Sequence, residues 1–187
     1  MWLVHHSSLI LRHSTHSPVS DPQWPDEMLL DTSSVAKRRA ITRVIGTSID
    51  RCQRNGFQAV EFDNLDSWTR SLNMLTMVDN IALAEQLVAR AHADHLAAGQ
   101  KNTVELGTRG RTQIKFNFAV AEQCHFYGEC SQYIRAYGPR VIDIEYAAHL
   151  RGTFAQICAD PTTPKMTILR DMDLTTPNSK NYVYAHC

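Results

Sequence analysis

The sequence predicts an α/β fold built from parallel β/α units. Short apolar runs alternate with segments of helical length, and an acidic or amide side chain follows each run. Composition agrees with a globular domain, because 43% of the 187 residues are hydrophobic and 20% are charged. A chain of this length can bury a full core without a structural metal or a dense set of disulfides.

Charge and hydropathy exclude several classes of protein. Nineteen basic and nineteen acidic residues cancel, so the chain lacks the basic excess of a nucleic-acid-binding protein. No apolar run approaches the roughly 18 residues of a membrane span. We therefore expect neither nucleic acid nor a membrane span as part of its function. Composition does not predict an oligomeric state.

Residues 1–20 differ in composition from the rest of the chain. They carry four histidines and six serines or threonines. A signal peptide needs a positive start, an unbroken apolar stretch and a small-residue cleavage site, and none of these is clear here. The sequence therefore predicts a poorly ordered leader over residues 1–20 and a folded domain over residues 21–187.

The first predicted elements are a strand, a helix and a second strand. Residues 28–31 are a short apolar run. Ser33 or Ser34 can cap a helix with helically spaced apolar residues, and the Asn-Gly pair at 55–56 supplies its left-handed stop. Residues 57–62 then read as a strand that runs into an Asp-Asn pair.

A second helix begins at a capping box. Thr76 and Asp79 have the required spacing, and Gly99 follows the helical pattern. After it, four further segments are predicted to be strands or the end of one: residues 100–102, 116–120, 141–146 and 166–171.

Polar side chains stand where the six predicted strands run out: Asp31, Asp63, Asn102, Glu122, Glu145 and Asp171. In a β/α barrel the carboxyl ends of all strands meet at one face, and that face carries the active site. A closed barrel needs eight strands and about 250 residues. Six strands therefore predict an incomplete barrel.

Carboxylates are the most suggestive chemistry in the chain: Glu61, Asp63, Asp66, Glu122, Asp143 and Glu145. Glycosidases use two carboxyl groups, one as acid and one as nucleophile or base. Acids at strand ends also cap the helices that follow, whose first turns attract negative charge. Spacing alone does not separate these two interpretations.

A second cluster is formed by Cys124, His125 and Cys130. It could close a local disulfide between the two cysteines if the protein is exported. The alternatives are a metal site, which lacks a second ligand pair at finger-like spacing, and a nucleophilic cysteine, which lacks a surrounding signature. A thiol or metal protein is thus one functional hypothesis.

Several motifs occur in the order known from one enzyme family. Residues 56–66 (GFQAVEFDNLD) are similar to "GFDGVEPDNVD", and residues 116–124 (FNFAVAEQC) to "FDFAVNEQC". Lys-Asn at 101–102, GEC at 128–130 and IEY at 144–146 also have counterparts. Over residues 21–175 the chain resembles glycoside hydrolase family 114, the endo-α-1,4-polygalactosaminidases.

The resemblance implies a TIM-type (β/α)₈ barrel, secreted and free of metal and cofactor, that cleaves galactosamine polymers internally. By position, Asp63 corresponds to the nucleophile and Glu122 to the acid/base. The same comparison implies that the residues contacting or supporting the sugar are Glu61, Asn64, Asp66, Lys101, Asn102, Gln123, Glu145 and Tyr146.

Departures from the family pattern suggest an alternative. Phe62 replaces a proline, Ala121 replaces the asparagine before the glutamate, and Asn117 replaces an aspartate. The family's first two or three strands have no evident counterpart before Asp21. The alternative is therefore a truncated, catalytically inactive barrel that only binds carbohydrate.

Overall fold

The structure, a computed structural model, describes residues 6–187. Its α-helices are α1 (Val35–Arg54), α2 (Met77–Ala93), α3 (Cys124–Tyr127), α4 (Cys130–Tyr137) and α5 (Phe154–Ala159). Its strands are β1 (Ala59–Phe62), β2 (Ala97–Lys101), β3 (Phe118–Glu122), β4 (Val141–Tyr146), β5 (Met166–Arg170) and β6 (Tyr184–His186). No helix in this part of the chain has both the length and the apolar character needed to cross a bilayer.

The strands form one mostly parallel sheet. Their order is β1-β2-β3-β4-β5-β6, which is also their order along the chain. Pairs β2–β3, β3–β4 and β4–β5 are parallel, whereas β6 is antiparallel to β5. The predicted α/β class is thus confirmed. Within residues 6–187 the sheet has two ends, as an incomplete barrel would.

The six strands are not the six that the sequence predicts. Residues 28–31 lie outside the sheet, where Met28 and Leu30 form only isolated antiparallel bridges, so Asp31 does not end a strand of it. The sixth strand of the sheet is instead β6, which the sequence does not predict. It was missed because Tyr184–His186 has no apolar run, and its first and last side chains are exposed.

The contacts divide the chain into two units. One comprises the residues up to Val60 together with Asn64–Ala97, and the other comprises Glu61–Asp63 together with Ala98–Cys187. In the first unit α1 and α2 carry the predicted caps. Ser34 accepts a hydrogen bond from the N–H of Lys37, and Thr76 and Asp79 form the full capping box.

Residues 6–20 of the first unit differ from the poorly ordered leader expected there. Leu11 and Val19 are buried with Leu29 and Leu75 in one hydrophobic cluster. Backbone hydrogen bonds of 2.8–2.9 Å link Leu11, Val19 and Leu29. The exposed serines and histidines hide this pattern in the composition, because the apolar residues among them are few. Residues 1–5 lie outside the described residues.

The second unit has its own buried layer beneath the parallel strands. Phe116, Ile114 and Tyr137 are almost completely buried. The hydroxyl of Tyr137 donates to Gln100 Oε1 at 2.6 Å, which satisfies two polar groups inside this layer. This packing holds β2, β3 and α4 together and fixes the ends of the central strands.

Two disulfides lie in the second unit. Cys124–Cys130, expected for an exported protein, is formed, and Cys158–Cys187 joins α5 to the residue after β6. The second closes a separation of 29 residues.

Cys158→Ser with Cys187→Ser is expected to lower the free energy of unfolding by about 2–4 kcal/mol. Denaturant melts of both forms, with unchanged slope, would check this; an unchanged midpoint would contradict it.

Candidate active site

Glu122, the last residue of β3, is surrounded by hydrogen-bond donors. Lys101 Nζ lies 2.7 Å and Asn102 Nδ2 3.3 Å from Glu122 Oε2. The hydroxyl of Tyr146 donates to Glu122 Oε1 at 2.6 Å. Three side-chain donors thus face this carboxylate, which favours its ionised form.

The parallel strands explain why these residues meet. Lys101, Glu122 and Tyr146 are the last residues of β2, β3 and β4, and neighbouring parallel strands end at one edge of a sheet. Asn102, with a left-handed backbone (φ 48°), turns its side chain back so that Oδ1 accepts the N–H of Glu122 at 2.8 Å. Asparagine tolerates this conformation better than most residues.

Asp63 reaches the same ammonium group. Its Oδ2 lies 3.5 Å from Lys101 Nζ, and its side chain is 53% exposed, against 31% for Glu122 and 10% for Lys101. Because both carboxylates contact one nitrogen, their nearest oxygens are no farther apart than the sum of the two distances. A single lysine therefore bridges two carboxylates that belong to strands far apart in sequence.

The pKa values follow from this bridge. Burial acts to raise the pKa of Glu122, but the hydrogen bonds from Lys101 and Tyr146 outweigh it and hold that pKa below the ordinary value. Burial acts to lower the pKa of Lys101, yet Glu122 and Asp63 raise it overall. Burial and the bond to Glu122 raise the pKa of the Tyr146 hydroxyl. The site thus holds an ionised glutamate, an ammonium and a neutral phenol.

Glu61 stands two residues before Asp63 on β1 and is exposed. Partial burial raises its pKa, the negative charges of Asp63 and Glu122 add to that effect, and Lys101 opposes it. Glu61 therefore adds a third carboxyl group to the surroundings of Lys101.

Asn64 and Asp66, predicted as sugar contacts, lie in the first unit and bind Arg70. Arg70 Nη2 lies 3.1 Å from Asn64 Oδ1, and Arg70 Nη1 lies 2.8 Å from Asp66 Oδ2. Arg70 Nε also pairs with the buried Asp21 at 2.5 Å. Both side chains thus contact Arg70 in the first unit, and their contact with a sugar stays a prediction.

Gln123 and Glu145 are placed differently from the sugar contacts predicted for them. Glu145 is fully buried inside β4, not at its end, and accepts the backbone N–H of His125 at 2.8 Å. Gln123 is 9% exposed, and its Nε2 lies 3.2 Å from His149 Nδ1. His149 had no sequence signal, because it ends a short 3-10 turn (Ala147–His149) that no motif marks.

The structure contradicts a thiol or metal function at Cys124 and Cys130. Their sulfurs lie near a carboxylate oxygen of Asp143, within 4.8 Å of one another, but they are joined to each other as a disulfide. Neither sulfur is therefore a thiolate that binds a metal or attacks a substrate.

Comparisons with known proteins point in one direction. A sequence model of the family described as "Glycoside-hydrolase family GH114" matches residues 3–187, which include the segment expected as a leader. The crystal structure of Aspergillus fumigatus Ega3 complex with galactosamine is similar at a TM-score of 0.70 and 24% identity. The match covers 94% of this chain and 70% of that one.

A second solved structure, the glycoside hydrolase domain of PelA from Pseudomonas aeruginosa, is similar at a TM-score of 0.54 and 12% identity. It covers 97% of this chain and 72% of that chain. No curated protein matches. At these identities the two likenesses show the fold, and they confirm the predicted barrel-type arrangement of β/α units.

Proposed function

The chain belongs to glycoside hydrolase family 114, a family of glycosidases, and on this premise we propose that it cleaves α-1,4-linked galactosamine polymers internally. The observation that carries the proposal is that Asp63 and Glu122 both form ion pairs with Lys101 at the carboxyl edge of the sheet. Two carboxyl groups within reach of one sugar are what glycoside hydrolysis requires.

Asp63 is proposed as the nucleophile and Glu122 as the acid/base of a retaining reaction. Asp63 attacks the anomeric carbon while Glu122 gives its proton to the departing glycosidic oxygen. Glu122 then takes a proton from water, whose oxygen displaces Asp63 from the sugar. Retaining enzymes keep the two carboxyl groups about 5–5.5 Å apart, which the shared contact with Lys101 permits.

The hydrogen bonds of Glu122 determine when it can act as an acid. Without substrate the pKa of Glu122 lies below the ordinary value, so its protonated form is populated only at acidic pH. Since kcat/KM reports the ionisation of the free enzyme, we expect kcat/KM to fall as pH rises through that lowered pKa. The proposed reaction therefore has an acidic optimum.

The charge of the site suits a substrate that bears amines. Glu61, Asp63 and Glu122 place three carboxyl groups around one lysine. A polymer with free amino groups is cationic near neutral pH, so such a cluster attracts it. The exposed Glu61 is the proposed partner of a sugar ammonium. Substitution with N-acetyl groups would remove this attraction.

The disulfides support export from the cell. The second unit carries two disulfides, and disulfides persist chiefly in oxidising compartments. An extracellular polysaccharide is therefore the proposed partner.

The alternative, a barrel that binds carbohydrate without cleaving it, loses one of its arguments. Ala121 is completely buried and pairs in register with Asp143, so its side chain points to the face opposite Glu122. An asparagine at this position would not lie beside Glu122 on the same face. The replacement therefore removes no contact next to the proposed acid/base.

Incubation with galactosamine polymer tests the proposal. We expect new reducing ends, internal cleavage products and release of the α-anomer first, which NMR resolves before mutarotation. A glucosamine polymer of equal charge is the control for nonspecific attraction. Polymer binding without new reducing ends would favour the alternative, and release of the β-anomer would exclude the retaining reaction.

A further inference from the structure

Two carboxylates lie side by side in the interior of the second unit. Asp143 and Glu145 are both completely buried, and as alternate residues of β4 they point to one face of the strand. No lysine or arginine of residues 6–187 forms an ion pair with either. Glu145 Oε2 is buried without a donor among the described residues, and the carboxyl group of Asp143 lies within hydrogen-bond reach of Glu145. Two adjacent buried carboxylates without a cation are stable only if they retain a proton.

The electrostatics agree with this geometry. Burial raises the pKa of Asp143 to about 7, and the neighbouring charge of Glu145 adds to that effect. Burial likewise raises the pKa of Glu145. The titratable groups that face the pair from adjacent helices are His125 and Tyr133, and burial keeps Tyr133 neutral by raising its pKa.

The pair holds the start of α3. Asp143 Oδ1 accepts the N–H of Cys124 at 3.1 Å, and Glu145 Oε1 accepts those of His125 and Phe126 at 2.8 and 3.4 Å. The residue before α3 makes no side-chain cap. The first N–H groups of a helix have no partner within it. Asp143 and Glu145, on the neighbouring strand β4, therefore accept the hydrogen bonds that a capping side chain would otherwise accept.

This anchored turn begins directly after the proposed acid/base. Glu122 is followed by Gln123, whose left-handed backbone (φ 60°) donates its N–H to Ile144 O at 2.8 Å. We propose that Asp143 and Glu145 are positioning residues for Glu122: they share one proton and fix the turn that orients its carboxyl group. This inference rests on the proposed function of Glu122.

The kinetic consequence falls on kcat. A displacement of about 1 Å of a catalytic group costs on the order of 100-fold in rate. Asp63 follows β1 and Lys101 ends β2, so neither belongs to the turn that the pair fixes, and KM should change little. A purely structural role of the pair would instead lower the fraction of folded protein and leave kcat per folded molecule unchanged.

Four variants test the proposal on galactosamine polymer. Asp143→Ala and Glu145→Ala are each expected to lower kcat about 100-fold with KM within about twofold. Asp143→Asn and Glu145→Gln keep one carboxylate beside one neutral donor and acceptor, as the proton-sharing pair does, so we expect kcat within about threefold of wild type. Alanine variants with wild-type kcat, or amide variants as slow as the alanine variants, would overturn the proposal.

Thr167→Val is the matched control. Thr167 is completely buried, and its Oγ1 lies 3.2 Å from Asp143 Oδ2, the oxygen that does not accept from Cys124. This variant is expected to lower the melting temperature while kcat stays at the wild-type value. A fall in kcat equal to that of Asp143→Ala would show that any loss of packing around β4 has the same effect, and would overturn the positioning role.

Two measurements without substrate separate this inference from the proposed function. At neutral pH the infrared spectrum should contain the C=O band of a protonated carboxyl, absent in Asp143→Asn. Hydrogen exchange at His125 and Phe126, whose N–H groups Glu145 accepts, should accelerate in Glu145→Ala and not in Glu145→Gln. If wild-type protein leaves the polymer uncut, the proposed function falls, yet these results still uphold the anchored turn. Unchanged exchange in Glu145→Ala would overturn it.

Discussion

Asp63→Asn and Glu122→Gln are each expected to lower the kcat for cleavage of galactosamine polymer by about 10²–10⁴-fold. Both replacements keep the shape of the side chain. An asparagine at 63 cannot form the covalent bond to the sugar, and a glutamine at 122 cannot give or take the proton. Initial rates of reducing-end release, measured at the pH optimum, provide the comparison.

The control for this prediction is Asp26→Asn, which removes one exposed carboxylate of the first unit. It should retain the wild-type rate. If Asp63→Asn and Glu122→Gln both cut the polymer as fast as wild type, the assignment of the pair is wrong.

Azide distinguishes the two roles. In Asp63→Gly the anion can take the place of the missing nucleophile and attack the anomeric carbon, which gives a β-glycosyl azide. In Glu122→Ala it attacks the sugar already bound to Asp63, which gives an α-glycosyl azide. The opposite pattern of anomers would exchange the roles of the two residues.

Lys101→Met is expected to shift the pH profile of the reaction. Lys101 is the strongest of the groups that hold the pKa of Glu122 down, so its removal raises that pKa. If Glu122 is the acid, the falling limb of kcat/KM moves to higher pH, by about one unit or more for a charge at this distance. If Glu122 is instead the nucleophile, the rising limb moves. The limb that moves identifies the role.

The same variant has a consequence for stability. A carboxylate with a lowered folded-state pKa stabilises the fold above its unfolded pKa, and this contribution is lost as pH falls through the folded value. The acid limb of the stability curve should therefore flatten in Lys101→Met. Lys165→Met, at an exposed position, is the control and should change neither profile. Superimposable profiles for Lys101→Met and wild type would show that the bridge is not formed in solution.

The sequence predicts well those features that depend on parallel strands. Lys101, Glu122 and Tyr146 end adjacent strands, so their convergence follows from topology once the β/α alternation is recognised. Asp63 joins them for the same reason. Burial is harder to predict, because neither alternation nor spacing shows that the carboxyl of Glu145 points into the interior.

Long-range contacts between irregular segments had no local signal. Asn64 and Asp66 follow β1 directly, yet both turn to Arg70 in the first unit. The pairing of Cys158 with Cys187 is likewise set by the position of β6 on β5 and not by a spacing motif. Leu11 and Val19 belong to the hydrophobic cluster of the first unit although the residues between them are mostly polar.

The contact between Lys101 and Glu122 also allows these two side chains to be cross-linked directly, without a spacer. A carbodiimide converts Glu122 to an O-acylisourea, which removes its negative charge and with it the main reason that Lys101 stays protonated. The neutral amine of Lys101, which lies 2.7 Å from Glu122 Oε2 in the unmodified protein, then attacks the acyl carbon, releases the urea derived from the carbodiimide and forms an internal amide. Mass spectrometry would detect this as the loss of one water from a peptide pair that joins β2 to β3.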